Sequence, residues 1–212
     1  MVKSPLHIAL FCKPPTSGQV KTRLIPAYGS QGATRIYLRL AERTMQTVRA
    51  ACTTLDAEAS LWVAGDISHP AVLDWAERFS LPVAQQGAGD LGAKMLDCLA
   101  TLARQHERVL LVGTDCPALS VDHLRTAADA LTFDCPWVFT PAEDGGYVLV
   151  GSNRPSAEPF SGIDWSTAKV MAQTRTALSA HGLGWKETDT LWDVDEADDV
   201  KRALAAGLLD SH

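Results

Sequence analysis

Three stretches of this 212-residue chain combine residue types suited to phosphate and metal chemistry. The first, Lys13-Pro14-Pro15-Thr16-Ser17-Gly18-Gln19-Val20-Lys21-Thr22-Arg23-Leu24, carries three cations, one glycine and no acid. Gly18 lets a ligand approach the backbone closely, and Lys13, Lys21 and Arg23 can neutralise phosphate oxygens. The loop lacks the leading glycine and the Gly-Lys-Ser/Thr order of a Walker A motif. A solvated basic loop is its plain alternative. In the second stretch, Gly113-Thr114-Asp115-Cys116-Pro117, an aspartate ends a very apolar run. A carboxylate so placed can hold a divalent cation against a ligand phosphate, although Asp-Cys-Pro is also acceptable turn chemistry. The third, Asp193-Val194-Asp195, offers further carboxylates, and Mg²⁺ typically uses one or two from the protein. Asp195 with Asp198 equally fits an N-cap and first-turn acid of a helix.

Other motifs carry less. Gly87-Ala88-Gly89-Asp90-Leu91-Gly92 matches G-x-G-x-x-G, and Asp115 follows about twenty residues on, as in a dinucleotide fingerprint. Asp90 would, however, set a carboxylate where the pyrophosphate belongs. As the residue before the Leu91, Met95, Leu99, Leu102 stripe, it reads as a helix N-cap. Glu143-Asp144-Gly145-Gly146-Tyr147 reads as a hairpin loop, and Trp165-Ser166-Thr167 as a cap with Ser166 starting a helix. The five cysteines (Cys12, Cys52, Cys98, Cys116, Cys135) form no Cys-x-x-Cys pair or Cys/His cluster. They suggest buried reduced thiols in a cytosolic protein rather than a disulfide framework or zinc site. The six histidines are isolated from one another and join no metal-ligand pattern.

The elements that must position these residues alternate in type. Leu6–Cys12, Ser60–Ala64, Val109–Gly113, Trp137–Thr140 and Tyr147–Gly151 read as strands, with Pro82–Gln85 a less regular one. The runs before Lys13 and Asp115 are nearly continuous hydrophobics, as expected for strands covered on both faces. Helical stripes run through Ala33–Val48, His69–Phe79, Asp90–His106, Ser120–Leu131, Ser166–His181 and Glu196–Leu208. This alternation predicts a three-layer α/β/α domain over residues 1–212 with a mainly parallel sheet. Glu143-Asp144-Gly145-Gly146 leaves only a short connection between its flanking strands, which requires an antiparallel pair and makes the sheet mixed. Ligands of open α/β sheets sit beyond the carboxyl ends of the strands, where the three stretches fall.

Charge sharpens the picture. The formal net charge is −6, which argues against a dedicated nucleic-acid binder. The first fifty residues nonetheless carry eight basic side chains against one acid, while the remainder carries eleven against twenty-four. Such asymmetry suits an anion-binding end; a solvated basic helix face is the alternative, since four of the arginines fall on one predicted helix. No stretch approaches a transmembrane length, so the sequence reads as soluble and cytoplasmic.

Taken in order, five motifs resemble one family. They are Phe11-x-Lys13-x-Pro15-x-x-Gly18-x-Val20-Lys21-Thr22-Arg23-Leu24, Gly89-Asp90-Leu91-Gly92-x-x-Met95, Gly113–Pro117, Pro141-Ala142-Glu143-Asp144-Gly145-Gly146-Tyr147 and Asp193–Asp195. The pattern is similar to bacterial glycosyltransferase-like proteins of the nucleotide-diphospho-sugar transferase superfamily. The molybdenum-cofactor and 2-phospholactate guanylyltransferases are more distant relatives. The resemblance spans Leu6 to about Leu204, and Lys94 stands where the family more often has arginine.

The resemblance implies a GT-A-type fold and a metal-dependent transferase using a nucleotide-activated donor. Mg²⁺ or Mn²⁺ would sit on Asp115 with Asp195, or Asp193. Lys13, Gly18, Lys21, Arg23, Asp90 and Gly92 would lie on the nucleotide side. Gly145, Gly146, Tyr147, Trp165 and Thr167 would face the acceptor, a small molecule or peptide, with Glu143 or Asp144 as general base. Glycosyl transfer from a nucleotide sugar is the leading expectation. Nucleotidyl transfer from a nucleoside triphosphate, with pyrophosphate release, is the alternative. A non-catalytic nucleotide-binding module is the reading from another class.

Overall fold

The structure, a computed structural model, describes residues 4–210. Strand and helix alternate from β1 (Ser4–Cys12) through α1 (Ile25–Leu55), β2 (Ala57–Val63), α2 (Pro70–Phe79), β3 (Val83–Gln85) and α3 (Leu91–Leu102). The chain continues with β4 (His106–Val112), α4 (Val121–Ala130), β5 (Trp137–Pro141), β6 (Tyr147–Ser152), α5 (Val170–Ala180), β7 (Trp185–Glu187) and α6 (Ala197–Ala205). The seven strands form one sheet in the order β3-β2-β1-β4-β6-β5-β7. Only β6 runs antiparallel to its neighbours, β4 and β5. The crossover through α4 leaves a slot between β4 and β5, and the short connection from Pro141 to Tyr147 returns β6 into it. The mixed sheet expected from that short connection is thus the one that forms.

The central strands are apolar on both sides because helices cover both sides. From β1, Leu6, Ile8 and Leu10 pack with Met45 and Val48 of α1, Trp75 of α2 and Leu124 of α4. Ala9 points the other way, into a layer with Cys98 and Leu99 of α3 and Met171 and Leu178 of α5. Burying each such leucine or isoleucine contributes about 1.5–3 kcal/mol relative to leaving it exposed. The last helix, α6, joins neither layer directly. Its Val200 and Ala203 pack with Leu24, Ala33 and Leu40, pinning the chain's carboxyl end to α1. Among the described residues, no helix is long and apolar enough to cross a membrane.

Several boundaries differ from those expected. Helix α1 begins at Ile25, well before the Ala33 stripe, with a break in helical geometry at Gly29 (φ 67°, ψ 166°). Helix α3 stops at Leu102, and His106 belongs to β4. Ser166 does not start α5: it adopts a left-handed backbone (φ 64°), and the helix begins at Val170 after Lys169. Strand β7 went unpredicted because its three residues, Trp185-Lys186-Glu187, show no apolar run.

Candidate active site

The cleft opens where β1 and β4 end, and the ends of the strands deliver the residues. Beyond β1 the chain enters the Lys13–Leu24 loop, whose conformation is unusual at one point. Lys21 is left-handed (φ 45°, ψ 47°), a region uncommon for a residue with a side chain, and caps the short 3-10 turn Thr22–Leu24. That turn aims Lys21 inward. Its ammonium lies 3.0 Å from Asp115 Oδ2 and 2.9 Å from Asp195 Oδ1, with the side chain 8% exposed. Arg23 reaches Asp195 Oδ2 at 2.9 Å from a more solvated position.

A backbone hydrogen bond explains why carboxylates 78 or more residues apart in sequence converge. The N–H of Val194 donates to the carbonyl of Asp115 at 3.0 Å, which lays the Asp193–Asp195 segment against the end of β4. The N–H of Leu191 donates to the carbonyl of Pro141 at 2.9 Å, holding the chain just before this segment to the end of β5. Asp195 is not the cap of α6; Glu196 is, in a capping box with Asp199. Asp199 also accepts the N–H of Asp195 at 3.0 Å, fixing its backbone and leaving its carboxylate for Lys21 and Arg23.

Oxygens of Asp115, Asp193 and Asp195 all lie within 4.8 Å of one another. Burial, then the charges of Asp115 and Asp144, push the Asp193 carboxyl up to about 7. Burial also opposes ionisation of Asp195, but Lys21 and Arg23 outweigh it and hold that carboxyl below its usual range. Lys21 is likewise desolvated, yet Asp115 and Asp195 raise its ammonium above the ordinary lysine range and keep it charged. Three carboxylates whose repulsion Lys21 and Arg23 only partly relieve make a set suited to a hard divalent cation, Mg²⁺ or Mn²⁺.

Above this acidic floor the cleft measures about 830 Å³. Lys13, Lys21 and Arg23 line it together with Asp144, Gly146, Tyr147, Trp165 and Thr167. Asp144 is exposed, and its Oδ1 accepts the N–H of Gly146 at 2.8 Å. Trp165 packs down on Gly92, where a Cβ would lie 2.6 Å from its ring.

Five of the expected residues do not line the cleft. Asp90 is the N-cap of α3, accepting the N–H of Ala93 at 2.8 Å, and Gly92 supports Trp165 from below. Gly145 is wedged against Ala168, whose carbonyl a Cβ would meet at 2.2 Å. Gly18 turns the loop (φ 82°) without facing the cleft. Glu143 points away: Arg202 holds both of its oxygens at 2.7 and 2.9 Å while stacking over Trp192.

Sequence reasoning missed others. Tyr37 of α1 donates its hydroxyl to the Lys13 carbonyl at 3.0 Å and accepts the Lys13 N–H at 2.8 Å, clamping the start of the loop. It was hidden inside the apolar stripe of its helix. Gln19, Gln86 and Thr114 also face the cleft. The only available signal for Gln86 was its place just past a strand end.

Residues 47–167 match the family described as "Uncharacterized protein conserved in bacteria (DUF2064)". The chain belongs to this family. The matched part of this family member contains Asp115, Asp144 and Trp165, while the Lys21 loop and Asp193–Asp195 flank it. Over 190 residues, 88% of the chain and 91% of the relative, it is 24% identical to a phosphoenolpyruvate guanylyltransferase of Chloroflexus aggregans. Among solved structures, it is similar to a candidate nucleotide-diphospho-sugar transferase of Desulfovibrio desulfuricans G20. That likeness has a TM-score of 0.83 at 26% identity and covers 97% of this chain and 88% of the other. A glucosyl-3-phosphoglycerate synthase of Mycobacterium tuberculosis, solved with Mn²⁺, UDP and glucosyl-3-phosphoglycerate, shares the fold at a TM-score of 0.51. There the identity is 11%, over 98% of this chain and 82% of the other. The architecture is therefore that of the nucleotide-diphospho-sugar transferases, and the expectation of a transferase stands with these likenesses.

Proposed function

We propose that this DUF2064 protein transfers a glycosyl group from a nucleotide sugar to a small acceptor, using a divalent cation in the cleft. The observation that carries the proposal is the placement of Lys21 between Asp115 and Asp195 on the floor of a cleft walled by aromatic side chains. Asp115, Asp193 and Asp195 would hold Mg²⁺ or Mn²⁺, which when bound supplies positive charge for the donor phosphates.

The protein's own residues do the rest. Lys13, Lys21 and Arg23 bind and orient the diphosphate, and fixed charge aimed at a leaving group strengthens as that group departs. Lys21 is already desolvated and charged, so it needs little reorganisation. Trp165 and Tyr147 present apolar faces to the sugar and acceptor and exclude water from one wall. Asp144 lines the cleft and accepts the proton of the attacking hydroxyl, whereas Glu143 is engaged by Arg202. The acceptor oxygen bonds to the sugar carbon, the carbon–oxygen bond to phosphate breaks, and a nucleoside diphosphate leaves.

A second reading has its own support. The similarity to a guanylyltransferase along most of both chains favours attack at the α-phosphorus of a nucleoside triphosphate. The two are separated by product. The protein is incubated with Mg²⁺ or Mn²⁺, panels of nucleotide sugars and nucleoside triphosphates, and acceptors including phosphorylated carboxylic acids. Nucleoside diphosphate release that depends on acceptor supports glycosyl transfer. Pyrophosphate release instead overturns it in favour of nucleotidyl transfer. Turnover unaffected by Asp115→Asn would remove both.

A further inference from the structure

At the far end of the sheet from the cleft, three strands bring together residues that look isolated in the sequence. His7 lies near the amino end of β1, Glu58 near that of β2, and His106 begins β4. Parallel pairing sets His7 level with Glu58, and Ser4 level with His106. One potential ligand atom from each of the three lies within 4.8 Å of the others. The imidazoles of His7 and His106 are both 5% exposed and touch, their ring centres 4.4 Å apart and tilted by 49°. Glu58 is exposed.

The hydrogen bonds around His7 leave one nitrogen over. Its Nε2 lies 2.8 Å from Ser60 Oγ, while its Nδ1 is buried with no hydrogen-bond partner among the described residues. Ser60 Oγ also accepts the indole N–H of Trp62 at 3.0 Å. A hydroxyl oxygen has two lone pairs, so Ser60 can accept from both neighbours. In the tautomer with its proton on Nε2, which Ser60 can accept, His7 keeps the Nδ1 lone pair available, the outer-shell arrangement typical of metal-bound histidine. Burial, then the neighbouring His106, keep the ring neutral, which is its ligating form.

We propose that His7, Glu58 and His106 form a second metal site, one that takes a borderline transition ion such as Zn²⁺. Two imidazoles and one carboxylate suit Zn²⁺, whereas the all-carboxylate cluster of the cleft suits Mg²⁺ or Mn²⁺. The two ends of the sheet therefore sort cations by ligand chemistry. Zinc bonds of about 2.0–2.1 Å need donors closer together than 4.8 Å. Glu58, at the surface, closes that gap by turning inward, and a water or surface group completes the coordination. So occupied, the site ties β1, β2 and β4 together at the end remote from the cleft.

The test is a Zn²⁺ titration of the protein in excess Mg²⁺, followed by calorimetry and thermal unfolding, with Co²⁺ as the spectroscopic substitute. One equivalent of Zn²⁺ should bind and raise the unfolding temperature. Glu58→Gln, an exposed change that leaves the core intact, should weaken binding roughly tenfold or more. Co²⁺ should give visible bands of tetrahedral nitrogen and oxygen ligation. Absence of stoichiometric Zn²⁺ uptake would overturn the proposal. So would affinity unchanged from the parent protein in Glu58→Gln and in His106→Gln, or a thiolate charge-transfer band that puts the ion on cysteine.

Discussion

Lys21 sets its ammonium 2.9 Å from Asp195 across 174 residues of sequence, and the same nitrogen reaches Asp115. One lysine thus balances two carboxylates in the floor of the cleft, from a left-handed backbone that the surrounding loop must hold in place. Removing only the charge separates its role from that of the loop. Lys21→Met should cut turnover by roughly a hundredfold, because a fixed donor at the leaving group is lost. It should also leave the acids mutually repelled, so added Mg²⁺ should raise the unfolding temperature more in the variant than in the parent protein. Turnover within a few-fold of the parent would show that the lysine only neutralises the acids.

The carboxylates make a contrasting pair of predictions. Asp115→Asn should abolish measurable turnover and reduce the stabilisation by Mg²⁺ or Mn²⁺. Glu143→Gln should keep turnover within a few-fold, since Arg202 holds Glu143 on the surface outside the cleft. Steady-state rates for the two variants with matched donor and acceptor check both. Loss of activity in Glu143→Gln with an unchanged unfolding temperature would return Glu143 to the reaction as its base.

The Trp165 part of the cleft wall depends on a glycine. A Cβ on Gly92 would lie 2.6 Å from the Trp165 ring and 3.0 Å from Phe160. Gly92→Ala must therefore lift Trp165, which is itself half-buried against Phe160. Overpacking of this kind costs about 1–3 kcal/mol. The displaced indole should raise the acceptor KM more than the donor KM, measured by varying each at saturation of the other. Equal effects on both would mean that Trp165 does not face the acceptor.

These sites were legible in the sequence to different depths. Lys13 and Asp115 stood out because each ends a continuous apolar run, and strand ends are where such sheets bind. The hairpin at Glu143–Gly146 was legible from its length alone. Asp195 was ambiguous because a cap and a ligand have the same local spacing; the Val194–Asp115 backbone bond that sets it beside Asp115 is tertiary. The Glu143–Arg202 pair spans 59 residues and leaves no local trace. His7 and His106 looked unrelated because only the pairing of β1 with β4 makes them neighbours. Helical periodicity hid Tyr37 for the opposite reason: its ring does serve the core, and only its hydroxyl serves the loop.

The imidazole of His7 gives the metal-free protein a specific acid sensitivity. Burial, then the adjoining His106, lower its ionisation from 6.5 to about 4. The folded state therefore favours the neutral ring, and the unfolded chain takes up the proton first as pH falls. Unfolding then binds protons between about pH 6.5 and pH 4, so stability must fall as pH drops through that window and be complete above it. A shift of this size corresponds to a loss on the order of 3 kcal/mol by pH 4. Carboxylates also destabilise the fold in acid, so the diagnostic quantity is the difference from a variant. Urea unfolding of chelator-treated protein at pH 7 and pH 4.5 should show a smaller loss in His7→Gln than in the parent. Gln retains a donor for Ser60 while removing the titration. Equal losses in the two proteins would place the acid sensitivity elsewhere in the molecule.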